Sequence, residues 1–170
     1  MNPKELIVDL SNDKLFLDWN IANPGNFLSH FFCQINEEFS IKSNWEIGYY
    51  INEKVIIFIP IENGFEIKPA DDIFKKPGDK VEKLDLSLVK ISFDKAIEIA
   101  KAEFPKQFPG EPLGGGFLIL QYFKDHAVWN FTFITKRIKF VNLKINAEDG
   151  TIVSHNTVNL IQQGNRSEQS

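Results

Sequence analysis

The chain has 170 residues, 43% of them hydrophobic and 25% charged, which is enough for one ordinary domain or two very small ones with a real core. Its net charge of -4 is uneven: residues 1–85 hold nine Lys and Arg against fifteen Asp and Glu, residues 86–170 ten against eight, and neither half makes a nucleic-acid-binding field. A single cysteine excludes an internal disulfide framework, and no apolar run approaches the roughly 18 residues of a spanning helix.

The first residues, Met1-Asn2-Pro3-Lys4-Glu5, lack the charged-then-apolar pattern of a signal peptide. A cytoplasmic protein is expected, or an extracytoplasmic one if a leader has been trimmed. Residues 6–10 and 15–21 are two short apolar runs around Ser11-Asn12-Asp13 and read as a hairpin. Leu15, Phe16 and Trp19 fit a helix over 12–20 almost as well. Asn23-Pro24-Gly25 predicts a helix start, followed by an apolar stripe of Phe27, Leu28, Phe31, Phe32, Ile35 and Phe39. Cys33 falls on the apolar face of that helix as a small buried hydrophobe, with His30 beside the stripe. Residues 45–51 and 55–61 read as strands around the turn Asn52-Glu53-Lys54, and Glu62-Asn63-Gly64 turns the chain back through Phe65-Glu66-Ile67. Pro60 suits an edge strand. Residues 71–90, around Lys76-Pro77-Gly78-Asp79, read as a linker.

The second half opens with a helix. Ser92 is its N-cap, Asp94 suits the dipole, and Phe93, Ala96, Ile97, Ala100 and Phe104 recur at helical spacing. Lys95, Glu98, Lys101 and Glu103 lace the outer face with opposite charges, and Pro105 is the expected stop. Residues 106–116, with Gly114-Gly115-Gly116, read as a connector: no Gly-Lys-Ser/Thr follows, and the glycines precede a strand rather than a helix. The period then changes to two. Strands are predicted over 117–122, 128–134, 138–145 and 151–153, with Trp129, Phe131 and Phe133 on one face and Asn130 and Thr132 on the other. Residues 162–170 form a polar tail.

The stretch ISFDKAIEIAKAEFP, followed by VWNFTFITKRIKFVNLKINAEDGTIVS, resembles a PepSY-type domain. That family opens on a helix of the form S-x-x-x-A-x-x-x-A, met here by Ser92, Ala96 and Ala100. It closes on an Asp-x-x-Thr-Gly turn, where this chain has Asn146 and then Asp149-Gly150-Thr151. The resemblance covers residues 91–155 and implies binding to, and inhibition of, a peptidase or another protein; many members lie outside the cytoplasm. The closing hairpin is also similar to that of cystatin-like and NTF2-like immunity proteins. The expected fold is α+β, an antiparallel β-meander with one helix on a face, in two similar halves. Residues 1–70 would be one half, 71–90 the linker, 91–161 the PepSY-like half and 162–170 the tail. Aligning Tyr50 with Tyr122 superimposes two turns and two strands, as a tandem repeat would.

No catalytic, cofactor-binding or metal-ligating residue emerges. His30, His126 and His155 are scattered, and Glu37-Glu38 and Asp71-Asp72 are adjacent pairs whose side chains diverge. Asn130-Phe131-Thr132 and Asn165-Arg166-Ser167 match a glycosylation pattern, which matters only in a secreted eukaryotic chain. Lys136, Arg137, Lys139 and Lys144 with Phe140 make a modest basic edge of the kind that binds single strands, but in an acidic chain nucleic acid is not the expected partner. The leading reading is a non-catalytic protein-interaction module, not an enzyme, with no cofactor and its oligomeric state open. The alternatives are a small-ligand pocket lined by Trp129, Phe131, Phe133 and Tyr122, or a toxin-neutralising immunity protein.

Overall fold

A computed structural model describes residues 2–68 and 80–160. Helices α1 (Pro3–Ser11) and α2 (Lys14–Ala22) precede strands β1 (Phe27–Ile35), β2 (Glu46–Ile51), β3 (Lys54–Ile61) and β4 (Gly64–Lys68). Helix α3 (Phe93–Gln107) then precedes β5 (Leu113–Phe123), β6 (His126–Thr135), β7 (Lys139–Asn146) and β8 (Ile152–Asn159). The fold is α+β. All eight strands form one antiparallel sheet in the order β4-β3-β2-β1-β5-β6-β7-β8, two four-stranded meanders joined where β1 meets β5. Position in the sheet pairs β1 with β5 and β2 with β6, one strand out of step with the Tyr50–Tyr122 alignment.

Three expectations fail in the first half, each for a local reason. The hairpin over 6–21 is two helices. Asn2 and Glu5 cap α1 reciprocally, through Asn2 Oδ1 to the Glu5 amide (3.1 Å) and Glu5 Oε2 to the Asn2 amide (3.0 Å), with Pro3 in the first turn. Asp13 caps α2, so Ser11-Asn12-Asp13 joins two helices rather than two strands. The helix expected after Pro24 is strand β1. Its stripe mimics a helical period because the register with β2 shifts between Leu28 and His30. The extra residue, Ser29, returns Leu28 to the same face as Phe31, Cys33 and Ile35. Asn23 accordingly ends α2, its side-chain amide donating to Trp19 O (2.8 Å), and Phe39 turns the chain at φ 64°. Lastly, β3 is not an edge. Pro60 is nevertheless tolerated, because the β2 pairing ends at Phe58 and Pro60 pairs only with Phe65 of β4.

The second half departs less. Pro105 lies inside the last turn of α3, which runs on to Gln107 rather than stopping at the proline. The connector glycines are strand. A Cβ on Gly116 would collide with the Thr132 carbonyl, and one on Gly114 would lie 2.7 Å from Ile134 O, so glycine lets β5 approach β6 closely. The final strand is longer than expected, running to Asn159. Within the expected linker, Leu84 is buried and its amide donates to Leu28 O (2.9 Å), and Val89 is buried as well. Lys76-Pro77-Gly78-Asp79, Asp71-Asp72, Asn165 and the 162–170 tail lie outside the described residues.

All three helices pack on one face of the sheet, over a single core. Phe16 of α2 meets Tyr49 (ring centroids 5.0 Å) and Phe58 (5.3 Å), while Phe104 of α3 meets Phe133 (5.1 Å) and Phe39 (5.5 Å). Trp129 is fully buried and donates from its indole N–H to Ile91 O (3.1 Å).

Candidate functional site

With the helices on one side, alternation places the other side chains on a face that no described helix covers. Across its middle run Phe27 against Tyr50 (5.2 Å) and Phe32 against Phe117 (5.8 Å), with Ile57 and Ile119 half-buried beside them. His30 lies between, its ring against the backbone of Gly48, where any Cβ would strike it. Its Nδ1 is 3.0 Å from Ser29 Oγ, and burial pushes its pKa down to about 4. The imidazole is therefore neutral at pH 7. Sequence reasoning put it beside a helix stripe and missed this face, since two aromatic rows only become neighbours once β1 pairs with β2 and β5.

Toward β7 the face turns polar. The Asn142 side-chain amide donates to Asn130 Oδ1, Thr132 Oγ1 (2.8 Å) and Phe131 O (3.1 Å), and Lys144 donates to Asn142 Oδ1 (2.7 Å). Lys144 Nζ also stands 4.9 Å over the Phe123 ring; burial first, and then the Lys124 charge, hold its pKa below the ordinary lysine value. The basic edge read from sequence is thereby split. Lys144 and Phe140 share the uncovered face, Lys139 faces the helix side and pairs with Glu111 (2.7 Å), and Lys136 lies in a turn with Arg137. No continuous aromatic-and-basic stripe results.

The remaining chemistry-bearing residues stay apart. Cys33 is fully buried, and burial raises its pKa to about 12, which keeps the thiol protonated. His126 opens β6 with Nδ1 3.3 Å from Asn146 Nδ2, and the exposed His155 faces the Phe108 ring at 6.3 Å. Glu37 and Glu38 are exposed. Among the described residues, no three His, Cys, Asp or Glu lie together as metal ligands would. Phe131 and Phe133, expected to line a pocket, are solid core. Trp129 does line a groove of about 410 Å³ between the start of α1 and the start of α3, with Ile41, Ile91 and Phe93.

The motif residues of α3 and the closing turn show why their types recur. Ser92 Oγ accepts from the Lys95 amide (3.1 Å), and Ala96 and Ala100 are fully buried where the helix presses on the sheet. In the turn, Asn146 Oδ1 accepts from the Glu148 amide (2.8 Å), as an aspartate would, and Asp149 Oδ1 takes both the amide and the hydroxyl of Thr151. Gly150 sits at φ 81°. The family model described as peptidase propeptide and YPEB domain, PepSY, matches residues 90–156. The PepSY-like stretch is therefore residues 90–156. It comprises α3, β5, β6, β7 and most of β8, so its sheet is completed by the first half of the chain. No curated protein matches the chain. Among solved structures, a candidate lipoprotein of Clostridium difficile 630 superimposes with a TM-score of 0.51 at 13% identity, over 84% of this chain and 88% of that one. At that identity the likeness shows the fold alone. Its coverage extends well beyond the PepSY-like stretch, so the neighbour shares much of the first half too.

Proposed function

We propose that the protein is a non-catalytic interaction module that binds a peptidase or another protein and restrains it through the uncovered face of the sheet. One observation carries this reading: all three helices stack on one side, leaving an eight-stranded face with the Phe27–Tyr50 and Phe32–Phe117 rows half-exposed. Aromatic rows bounded by amides and a lysine suit a protein surface, which is richest in rings at its centre and polar at its rim. The PepSY-like stretch supports the partner class, since its family is described by peptidase propeptides. The same reading takes residues 1–70 and 91–161 as copies of one unit joined by 71–90. The cytoplasmic placement expected from sequence gains no support from the comparisons; a lipoprotein as structural neighbour favours a site outside the cytoplasm. No helix among the described residues is long and apolar enough to cross a membrane.

The test compares wild type with Phe117→Lys, which sets a charge in the aromatic rows. Both are tagged, shown to fold by circular dichroism, and used to capture proteins from the source lysate. A protein held by wild type and released by the variant supports the proposal, and a peptidase whose activity falls on adding wild type alone supports its inhibitory form. Equal capture by both variants refutes the face. A small molecule retained in place of a protein favours the ligand-pocket alternative.

A further inference from the structure

The two edges of the sheet differ in how they are protected. Unpaired N–H and C=O groups on an outer strand accept a further strand, and proteins block this with charge, proline or shortness. Strand β4 has five residues and carries Glu66 and Lys68. Strand β8 has eight, Ile152–Asn159, with no Asp, Glu, Lys or Arg and no proline, and four of them are the β-branched Ile152, Val153, Thr157 and Val158. From 152 to 158 its outer side meets no other strand among the described residues. Nearby, Ile134 and Val158 flank Phe140 in one row across β6, β7 and β8, and both are more than a third exposed.

The charges at the ends of β8 select its occupant. Exposed Glu148, which pairs with Lys90 (3.3 Å), and exposed Asp149 precede its first residue. Beside its far end lies the turn of Lys136 and Arg137, held there by the Leu160 amide donating to Ile138 O (3.4 Å). Both cations are exposed, and neither is ion-paired among the described residues. Laid antiparallel against β8, a second β8 meets it acidic end to basic end, twice. A two-fold interface has to be self-complementary in this way. It also keeps the acidic first halves of the two chains at opposite ends of the joined sheet.

We propose that β8 is a self-association edge, through which two copies join their sheets into one continuous antiparallel sheet about a two-fold axis. That axis stands perpendicular to the sheet, so both uncovered faces look the same way and a partner meets them as a pair. Strand pairing alone covers less than the roughly 1,200 Å² of a standard stable interface, so the dimer is concentration-dependent.

Sedimentation velocity on the full chain, over about a hundredfold range of concentration, tests this. The weight-average mass should climb from 19.5 kDa toward twice that value. Asn156→Lys, an exposed change at mid-strand that opposes two like charges, should weaken association by about tenfold or more. The charge-reversed variants Glu148→Lys/Asp149→Lys and Lys136→Glu/Arg137→Glu should each remain monomeric alone and associate when mixed, because reversing both ends restores the match. A wild-type monomer at every concentration, or a dimer that ignores Asn156→Lys, overturns the proposal. So does a mixture that fails to associate while both variants are folded, or a β8 that proves to pair with another protein's strand.

Discussion

His30 is half-buried on the face that no described helix covers. Its ring occupies the space a side chain at position 48 would need, and burial there disfavours the charged form. An unfolded imidazole takes its proton near pH 6.5 and the folded one only near 4. Between those values the unfolded state binds more protons, so stability must fall as pH drops through that window and level off below it. The loss attributable to this one group is on the order of 3 kcal/mol. Urea midpoints of wild type and His30→Gln measured from pH 7 to about 4 should converge as the pH falls; parallel curves would refute a buried neutral imidazole. Phe131 is the complementary case, a ring whose facing was legible from alternation alone. It is fully buried, and Phe131→Ala should lower stability by about 3–5 kcal/mol in the same assay.

Glycines decide the local shape of β5. Gly114, Gly115 and Gly116 look alike in sequence and do different things. A Cβ at 116 collides with the backbone of β6, whereas at 115 it meets nothing within 4 Å. Gly116→Ala should therefore cost about 1–3 kcal/mol, while Gly115→Ala should be neutral or slightly stabilising by reducing the freedom of the unfolded chain. Thermal unfolding of the two variants separates them directly, and equal melting temperatures would contradict the close approach of β5 to β6. Strand β1 teaches a related lesson. Its apolar residues satisfy a 3.6 period and, with one bulge, a 2.0 period equally well, so periodicity alone could not arbitrate. The capping box of α1 could have done so for residues 2–11, since Asn2-Pro3-Lys4-Glu5 carries the start signal in plain view.

One residue from the first half ties the two described meanders together. Phe39, in the turn after β1, reaches into the PepSY-like stretch and packs on Phe133 (4.9 Å), Phe104 (5.5 Å) and Phe131 (6.1 Å). Trp45 does the same against Phe93 (5.7 Å). With β1 also bonded along β5, neither half is expected to keep its core when separated. Unfolding in urea should give coincident transitions by tryptophan fluorescence and far-UV circular dichroism, and a fragment of residues 90–156 should show no cooperative transition. Two separable transitions would mean that each meander folds by itself.

The sequence by itself determined the α+β class, the α3 helix with its Ser92 cap, the alternation of β6 and β7, and the closing turn at Asn146. Each of these rests on contacts within a few residues, where spacing and residue type are sufficient. Only the tertiary structure decided that residues 27–35 are a strand, that the two meanders share one sheet, and that no described helix covers one of its faces. Those outcomes depend on which strands become neighbours. The pairing of β1 with β5 joins residues 81 to 91 positions apart, and nothing local in either strand encodes the partner.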